Sequence, residues 1–500
     1  MTPRGITPMI SLSDSMLHRL PPSIAVPRYD RRALKVGVVH IGVGNFHRTH
    51  QALYIDEALH QPGNEGFGIC GVGLTDGDAS RAKAAAYKAQ DSLYTVTEFA
   101  PDGTARTRVI GVMIDYLHGP ADPGAVLARL AHPDTRIVTL TITEGGYNID
   151  ETTGLFKLEA PDVAHDLAGG APRTVFGYVV ESLARRRAAG LRAFAVASCD
   201  NLRGNGDTAR KAFVSFARAR DPDLADWIDR EADFPNSMVD RIAPQVSSAD
   251  RARLNASSRV DDLLPAMAES FNQWVVEDRF RYGRPSLEAV GVTFRDDVAA
   301  FVAVKGRMIN ASHMHLAYPS ILRGERIVHE AMRDPRIVRL ISTFLRRDVM
   351  PYVEPPPGVS LANYETMIVD RFSNPAIGDQ LLRVGGDGAS KLPIFHSKTI
   401  ATLVAARADL RREAFLLACF ARYLLGRDDN GSEFPVFEPV LTAPDWEQIR
   451  NEPSGVLRTA PFLSLGLADH ASFRRAFDRV AETLAQHGAS KALDEVLAET

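Results

Sequence analysis

The sequence predicts an α/β chain: a doubly wound sheet within residues 1–297, followed by a mostly α-helical domain over residues 298–500. Three observations carry this. Short apolar, β-branched runs recur at Val36–Ile41, 66–74, 136–143 and 191–198. Each stops at a cluster of small and polar residues and is separated from the next by helix-like sequence, the rhythm of βαβ units. Beyond about residue 298 strand texture nearly vanishes, and long amphipathic stretches rich in Ala, Leu and Arg take over at 299–317, 326–350, 397–425 and 470–497.

Each element follows from its residues. Residues 1–35, rich in Pro and Ser, read as an arm draped over the first domain. Val36–Ile41 lacks helical periodicity, as expected of a parallel strand buried on both faces. Gly42-Val-Gly44 follows at once, and residues 46–60 read as one helix. A glycine pair at such a junction lets the backbone turn tightly and approach a pyrophosphate, whose charge is met by amide donors at the helix N-terminus. His47 replaces the third glycine of the usual fingerprint. The second run ends at Thr75-Asp76-Gly77-Asp78, where Asp76, or failing it Asp78, is placed to bind the adenosine ribose diol and to repel a 2′-phosphate. NAD is therefore the expected cofactor. Pro351–Gly358 reads as a stiff loop.

Composition narrows the partners. With 45% hydrophobic residues, 24% charged residues and a net charge of −4, the chain can bury a large core yet has no concentrated basic face for nucleic acid. No run approaches the roughly 18 apolar residues that span a bilayer. Cys70, Cys199 and Cys419 sit apart in apolar runs, as buried thiols of a reducing compartment do, so a cytoplasmic address is expected.

The stretch Lys305-Gly-Arg-Met-Ile-Asn310-Ala-Ser-His313 sets a base, an amide and an imidazole in an otherwise apolar helix whose start is signalled by Asp296 and Asp297. At about 100° per residue, Lys305, His313 and Asn310 fall at roughly 0°, 80° and 140°, within one sector of the helix. Lys305 and His313 are about 12 Å apart along a straight helix, so either a substrate spans them or Gly306 loosens the turn. A metal is not expected: His313 and His315 are two residues apart and face different sides of a helix, with no Cys or Glu at ligand spacing.

Six blocks in order, HIGVGNFHRTHQALYIDEAL (40–59), TITEGGYN (141–148), SCDNLRGNG (198–206), FPNSMVDRI (234–242), FNQWVVED (271–278) and K-x4-N-x2-H (305–313), resemble the polyol-specific long-chain dehydrogenases. The resemblance runs from about residue 10 to the C-terminus. It implies a Rossmann-type N-terminal domain, a helical C-terminal domain and metal-free hydride transfer between NAD(P) and a polyol or its ketose. It places a general base on Lys305, carbonyl-polarising amides on Asn201 and Asn310, and an orienting imidazole on His313. Substrate contacts fall on Asp240, Arg383 and Lys391. Gly42, Gly44, Phe46, Arg48, Asp76, Thr143 and Glu144 line the cofactor, and the enzyme is expected to act as a monomer or small homo-oligomer.

Two departures stand out. Where the family commonly carries a Tyr-Glu pair before the lysine, this chain has Phe301-Val302-Ala303-Val304, and Ile394-Phe-His-Ser-Lys398 replaces an apolar run with proline. Both bear on the substrate. A hexuronate reductase of the same fold and a non-catalytic NAD-binding protein remain the alternatives at this point. The chemistry itself is consistent: a lysine desolvated among Val302, Val304 and Met308 can serve as a base, and amide donors can stabilise the alkoxide without adding charge.

Overall fold

The computed structural model describes residues 9–150 and 153–498 and divides into two compact units, the first running to Ala299 without Pro101–Gly103, and the second made of Pro101–Gly103 and the chain from Ala300 onward. The start of the N-terminal arm, residues 1–8, lies outside the described residues.

In the first unit, five strands form one parallel sheet: β1 (Val36–Ile41), β2 (Gly68–Gly73), β3 (Met113–His118), β4 (Ile137–Leu140) and β5 (Ala195–Ser198). Their spatial order is β3-β2-β1-β4-β5, so the chain reverses direction across the sheet between β1 and β4. Ligands gather beyond the carboxyl ends of strands at such a switch point. Four of the five were legible in the sequence. The edge strand β3 was not, because Asp115, Tyr116 and His118 interrupt its apolar run and five of its six residues are partly exposed.

The predicted helix after β1 is two helices, α1 (Asn45–Thr49) and α2 (Gln51–Ala58), broken at His50 with φ −115° and ψ −88°. The break is fixed by side chains. Gln51 Nε2 donates to His50 Nδ1 (2.7 Å), leaving His50 Nε2–H to donate to the Gln273 carbonyl (2.9 Å). Helix α3 (Asp78–Ala89) follows β2, and α4 (Asn205–Arg220) follows β5. The arm from Ile10 onward packs within this unit: Ile10–Ser11 pairs in parallel with Val260–Asp261, and Leu12, Leu20 and Ile24 bury against Leu93 and Val109. Strand β6 (Ser237–Asp240) pairs antiparallel with β7 (Gln273–Val276), setting Asp240 opposite Gln273.

Among the described residues the second unit has no strand, only two isolated bridges. Helix α5 (Val298–Lys305) leads through a π-helical turn at Gly306–Asn310 into α6 (Ala311–Arg323). Around α6 pack α7 (Pro335–Phe344), α8 (Leu361–Phe372), α9 (Gly388–Ala405), α10 (Arg411–Tyr423) and α11 (Ala471–Ala498). Eleven of the thirteen residues of α6 are buried, as a helix with apolar residues on every side requires. The expected helix over 397–425 is split between α9 and α10, where Arg407 takes φ 51° and the Asp409 carboxylate caps the Arg411 amide at 3.0 Å. The expected helix over 470–497 is kinked at Gly488 (φ 77°), where Asp429 accepts from the Ala489 amide.

Candidate active site

The nucleotide-binding end of the first unit is built from the strand ends. Gly42 has φ 97°, and a Cβ there would lie 2.1 Å from the Thr141 carbonyl oxygen, so only glycine makes this turn. Gly44 is the N-cap of α1, and a Cβ there would meet nothing closer than 3.7 Å. A turn that only glycine can make, leading straight into a helix N-terminus, fits the pyrophosphate of a dinucleotide. His47, in place of the third glycine, is fully buried and stacks on His40 of β1. Thr141 Oγ1 donates to the Gly42 carbonyl (2.7 Å) and so accepts from His40 Nε2–H (3.1 Å), while Thr139 Oγ1 donates to His40 Nδ1 (2.8 Å). These bonds fix the His40 tautomer.

Phe46 stacks on His50 with centroids 4.7 Å apart. Arg48 is 6% exposed, donates to the Leu264 carbonyl and Asn45 Oδ1, and sits over the Tyr94 ring; it braces the turn. Asp76 is exposed at the end of β2, where the Gly77 amide (2.7 Å) and then Arg81 hold its carboxyl below the usual carboxylate range. Arg81 also contacts Asp78 at 2.8 Å. Thr143 and Glu144 are exposed beyond β4, and Thr143 has φ 64° and ψ 167°, a region almost reserved for glycine.

Sequence reasoning passed over the residues that hold these ends together. Asp200 accepts from the amides of Ile142 (3.1 Å) and Thr143 (2.9 Å) and from the Tyr147 hydroxyl (2.7 Å), so it anchors the strained Thr143 turn from the end of the neighbouring strand. Burial pushes its pKa up, and those same bonds oppose the rise. Asn205 Nδ2 donates to the Ser198 and Asp200 carbonyls (3.2 and 3.0 Å), and its Oδ1 accepts from the Ser237 amide (2.8 Å). Exposed Asn201 and buried Asp240 are thereby placed on two strand ends joined by one network. Lys83 of α3 donates to the Val43 carbonyl inside the glycine turn, and burial pushes its pKa down to about 8. An inward-facing lysine on an alanine-rich helix was the only sequence signal for it.

In the second unit Lys305 is buried, 9% exposed, immediately before the π-turn. The Ala311 amide donates to the Gly306 carbonyl, a five-residue step. Residues five apart are drawn closer to alignment than the roughly 140° of a regular helix, which brings Asn310 toward the side of Lys305. The loosened turn expected at Gly306 is this one. His313, half-buried one turn beyond Asn310, is fixed by stacking on Phe372 at 4.1 Å and 24°. The other two expected contacts are engaged locally. Arg383 is ion-paired with Asp379 at 2.6 Å, and Lys391 Nζ donates to the carbonyls of Gly386 (2.6 Å) and Val384 (3.2 Å).

Family models describe both parts of the chain: a mannitol dehydrogenase Rossmann domain over residues 36–289 and a mannitol dehydrogenase C-terminal domain over residues 297–485. The polyol:NADP oxidoreductase of Gluconobacter oxydans is 50% identical over 425 residues, 85% of this chain and 87% of that protein. The structure of a substrate-free D-sorbitol dehydrogenase matches with TM-score 0.89 and 44% identity, covering 96% of this chain and all of that one. The mannitol 2-dehydrogenase of Pseudomonas fluorescens, solved with NAD and D-mannitol, matches with TM-score 0.89 and 39% identity over 98% of this chain and all of that one. With its glycine turn, its network of strand ends and its lysine-bearing π-turn, this chain belongs to the mannitol dehydrogenase family of oxidoreductases.

Proposed function

We propose that this protein interconverts a sugar alcohol and its ketose with NAD, using Lys305 as general base. The observation that carries the reading is the π-turn that begins directly after buried Lys305 and ends at Asn310, with ring-stacked His313 on the helix that follows, in a chain of the mannitol dehydrogenase family. Bound NAD supplies the hydride acceptor. The chain must then remove the hydroxyl proton as hydride leaves carbon, and neutral Lys305 Nζ takes it. The side-chain amide of Asn310 donates to the developing oxyanion, and His313, held flat by Phe372, orients the hydroxyl. Asn201 and Asp240, at strand ends of the first unit, are the further amide and carboxylate that the resemblance assigns to the reaction.

Two rivals are weighed by the same side chains. A hexuronate would need a cation, but Arg383 and Lys391 are engaged by Asp379 and by main-chain carbonyls, which favours a neutral substrate. NADP has one specific point in its favour: Arg81 beside Asp76 offers a guanidinium to a 2′-phosphate, and the Gluconobacter relative is named for NADP. The exposed Asp76 carboxylate favours NAD. A cytoplasmic enzyme acting as a monomer or small homo-oligomer completes the reading, supported by three buried free thiols.

The test is a screen of four- to six-carbon polyols, their ketoses and the uronate counterparts with NAD and NADP, followed by nicotinamide absorbance. Turnover of a neutral polyol above its uronate counterpart is expected. Preference for the uronate overturns the substrate class.

A further inference from the structure

The helical unit holds a second polar cluster that the lysine-bearing turn does not use. His315 of α6, His396 of α9 and Glu413 of α10 are each fully buried. One donor atom from each, a ring nitrogen or a carboxylate oxygen, lies within 4.8 Å of the others. His396 Nδ1–H donates to the two Glu413 oxygens at 2.9 and 3.1 Å. Its Nε2 and both ring nitrogens of His315 are buried without a hydrogen-bond partner. The two imidazoles meet edge to face, with centroids 5.4 Å apart, and Phe344 covers His315 at 4.1 Å. The arginines close to the cluster are engaged elsewhere: Arg307 of the π-turn donates to Thr399 Oγ1 (3.1 Å) and the Tyr352 carbonyl (3.0 Å), and Arg412 of α10 is paired with Asp348.

A neutral imidazole carries one N–H and one lone pair, and burying either unpaired is costly. An ordinary core would fill this place with Leu or Phe, as its neighbours do. What His315, His396 and Glu413 offer in common is a lone pair, at a meeting point of three helices. Two imidazoles and one carboxylate make a borderline donor set that suits Zn(II) or Co(II) better than Mg(II) or Ca(II). Bonds of about 2.0–2.2 Å put tetrahedral donors roughly 3.4 Å apart, so side-chain rotation of about an ångström closes the cluster around an ion, and water can complete the fourth position. The HxH pairing of His315 with His313 fails on helix geometry, but the fold gives His315 partners from two other helices.

We propose that His315, His396 and Glu413 bind one zinc-class divalent cation as a structural site that ties α6, α9 and α10 together. His313 and His315 leave the helix on different sides, so this site is separate from the proposed chemistry at Lys305.

The experiment uses the full-length protein, produced in zinc-supplemented medium so that the ion is present as the chain folds, with metal content read by native and elemental mass spectrometry. About one ion per chain is expected, as a buried site formed only in the folded state requires. Co(II) substitution should give the visible absorption of a tetrahedral site. Zinc in about hundredfold excess over its dissociation constant should raise Tm by several degrees. Glu413→Gln, close in shape, and His315→Phe, which fills the space, should each lose the ion; if one fails to fold, the other reports. A parent protein with less than about a tenth of an ion per chain and no Co(II) spectrum overturns the site. So does equal loading of the parent and either folded variant.

Discussion

The imidazole of His47 lies flat on that of His40, with 3.3 Å between ring centroids and 7° between planes. Both are fully buried beneath the glycine turn, and a positive charge on either would face the other ring. Burial pushes the His40 pKa down to about 3, and burial together with His40, Arg48 and His50 holds His47 well below its ordinary range.

Acid stability should follow from this pair. Below about pH 6.5 the unfolded chain binds protons that the folded chain refuses, so these residues contribute fully above that pH and stability falls as pH drops toward 3. Each such imidazole adds up to about 1.4 kcal/mol per pH unit to the slope. Denaturation curves at several pH values should show a shallower acid slope for His47→Leu than for the parent, whatever its absolute stability. Parallel slopes would show that the stack does not titrate.

Asp200 is expected to matter as a positioning residue. It restrains Thr143 in a conformation costing on the order of 1–3 kcal/mol, and its removal strands the Ile142 and Thr143 amides and the Tyr147 hydroxyl. Asp200→Ala should therefore raise KM for NAD and reduce kcat/KM by about 100-fold, the scale of a small misplacement of reacting groups. Thr143→Gly in the same background should recover stability without recovering kcat/KM. An Asp200→Ala enzyme with parental kinetics would remove the residue from the site.

How much of this was readable depends on the range of the interaction. Val36–Ile41 declared itself because a strand covered on both faces must be apolar throughout, and Gly42 because a positive φ excludes other residues. Lys305, Asn310 and His313 were visible as a spacing, but the π-turn that changes their angular relation left only Gly306 as a trace. The Asp200 and Asn205 network could not be read, since Asn, Asp and Ser at strand ends look like any turn until the partner strands are known. The cluster at His315 is hidden for the same reason: its members come from three helices. The break at His50 depends on Gln273, far along the chain.

Cofactor choice should be settled at Asp76. If its carboxylate receives the ribose hydroxyls, Asp76→Asn should lower the ratio of kcat/KM for NAD over NADP by about tenfold or more, the loss of one charge-assisted hydrogen bond and one repulsion. Arg81→Ala should move the ratio the other way, because Arg81 is the cation beside a 2′-phosphate. A ratio unmoved by both substitutions would put the ribose elsewhere.

The proton is where the π-turn and the departure at Val302 meet. Lys305→Ala should reduce polyol oxidation by at least about 100-fold, the lower range for general base catalysis. KM should change less than kcat, because the proton is shared mainly in the transition state. Val302 is half-buried where the family commonly has an acid, so no carboxylate stands there to pass the proton on. His396 is fully buried with its Nδ1–H on Glu413 and offers no exit to solvent. The proton therefore leaves Lys305 to water, and oxidation should rise with pH through a single ionisation, with no second limb from a relay acid. Val302→Glu should add that limb. A small primary amine added to Lys305→Ala should restore part of the rate, which a merely structural lysine would not allow. Ordinary turnover in Lys305→Ala with the parental pH profile would place the base on another residue.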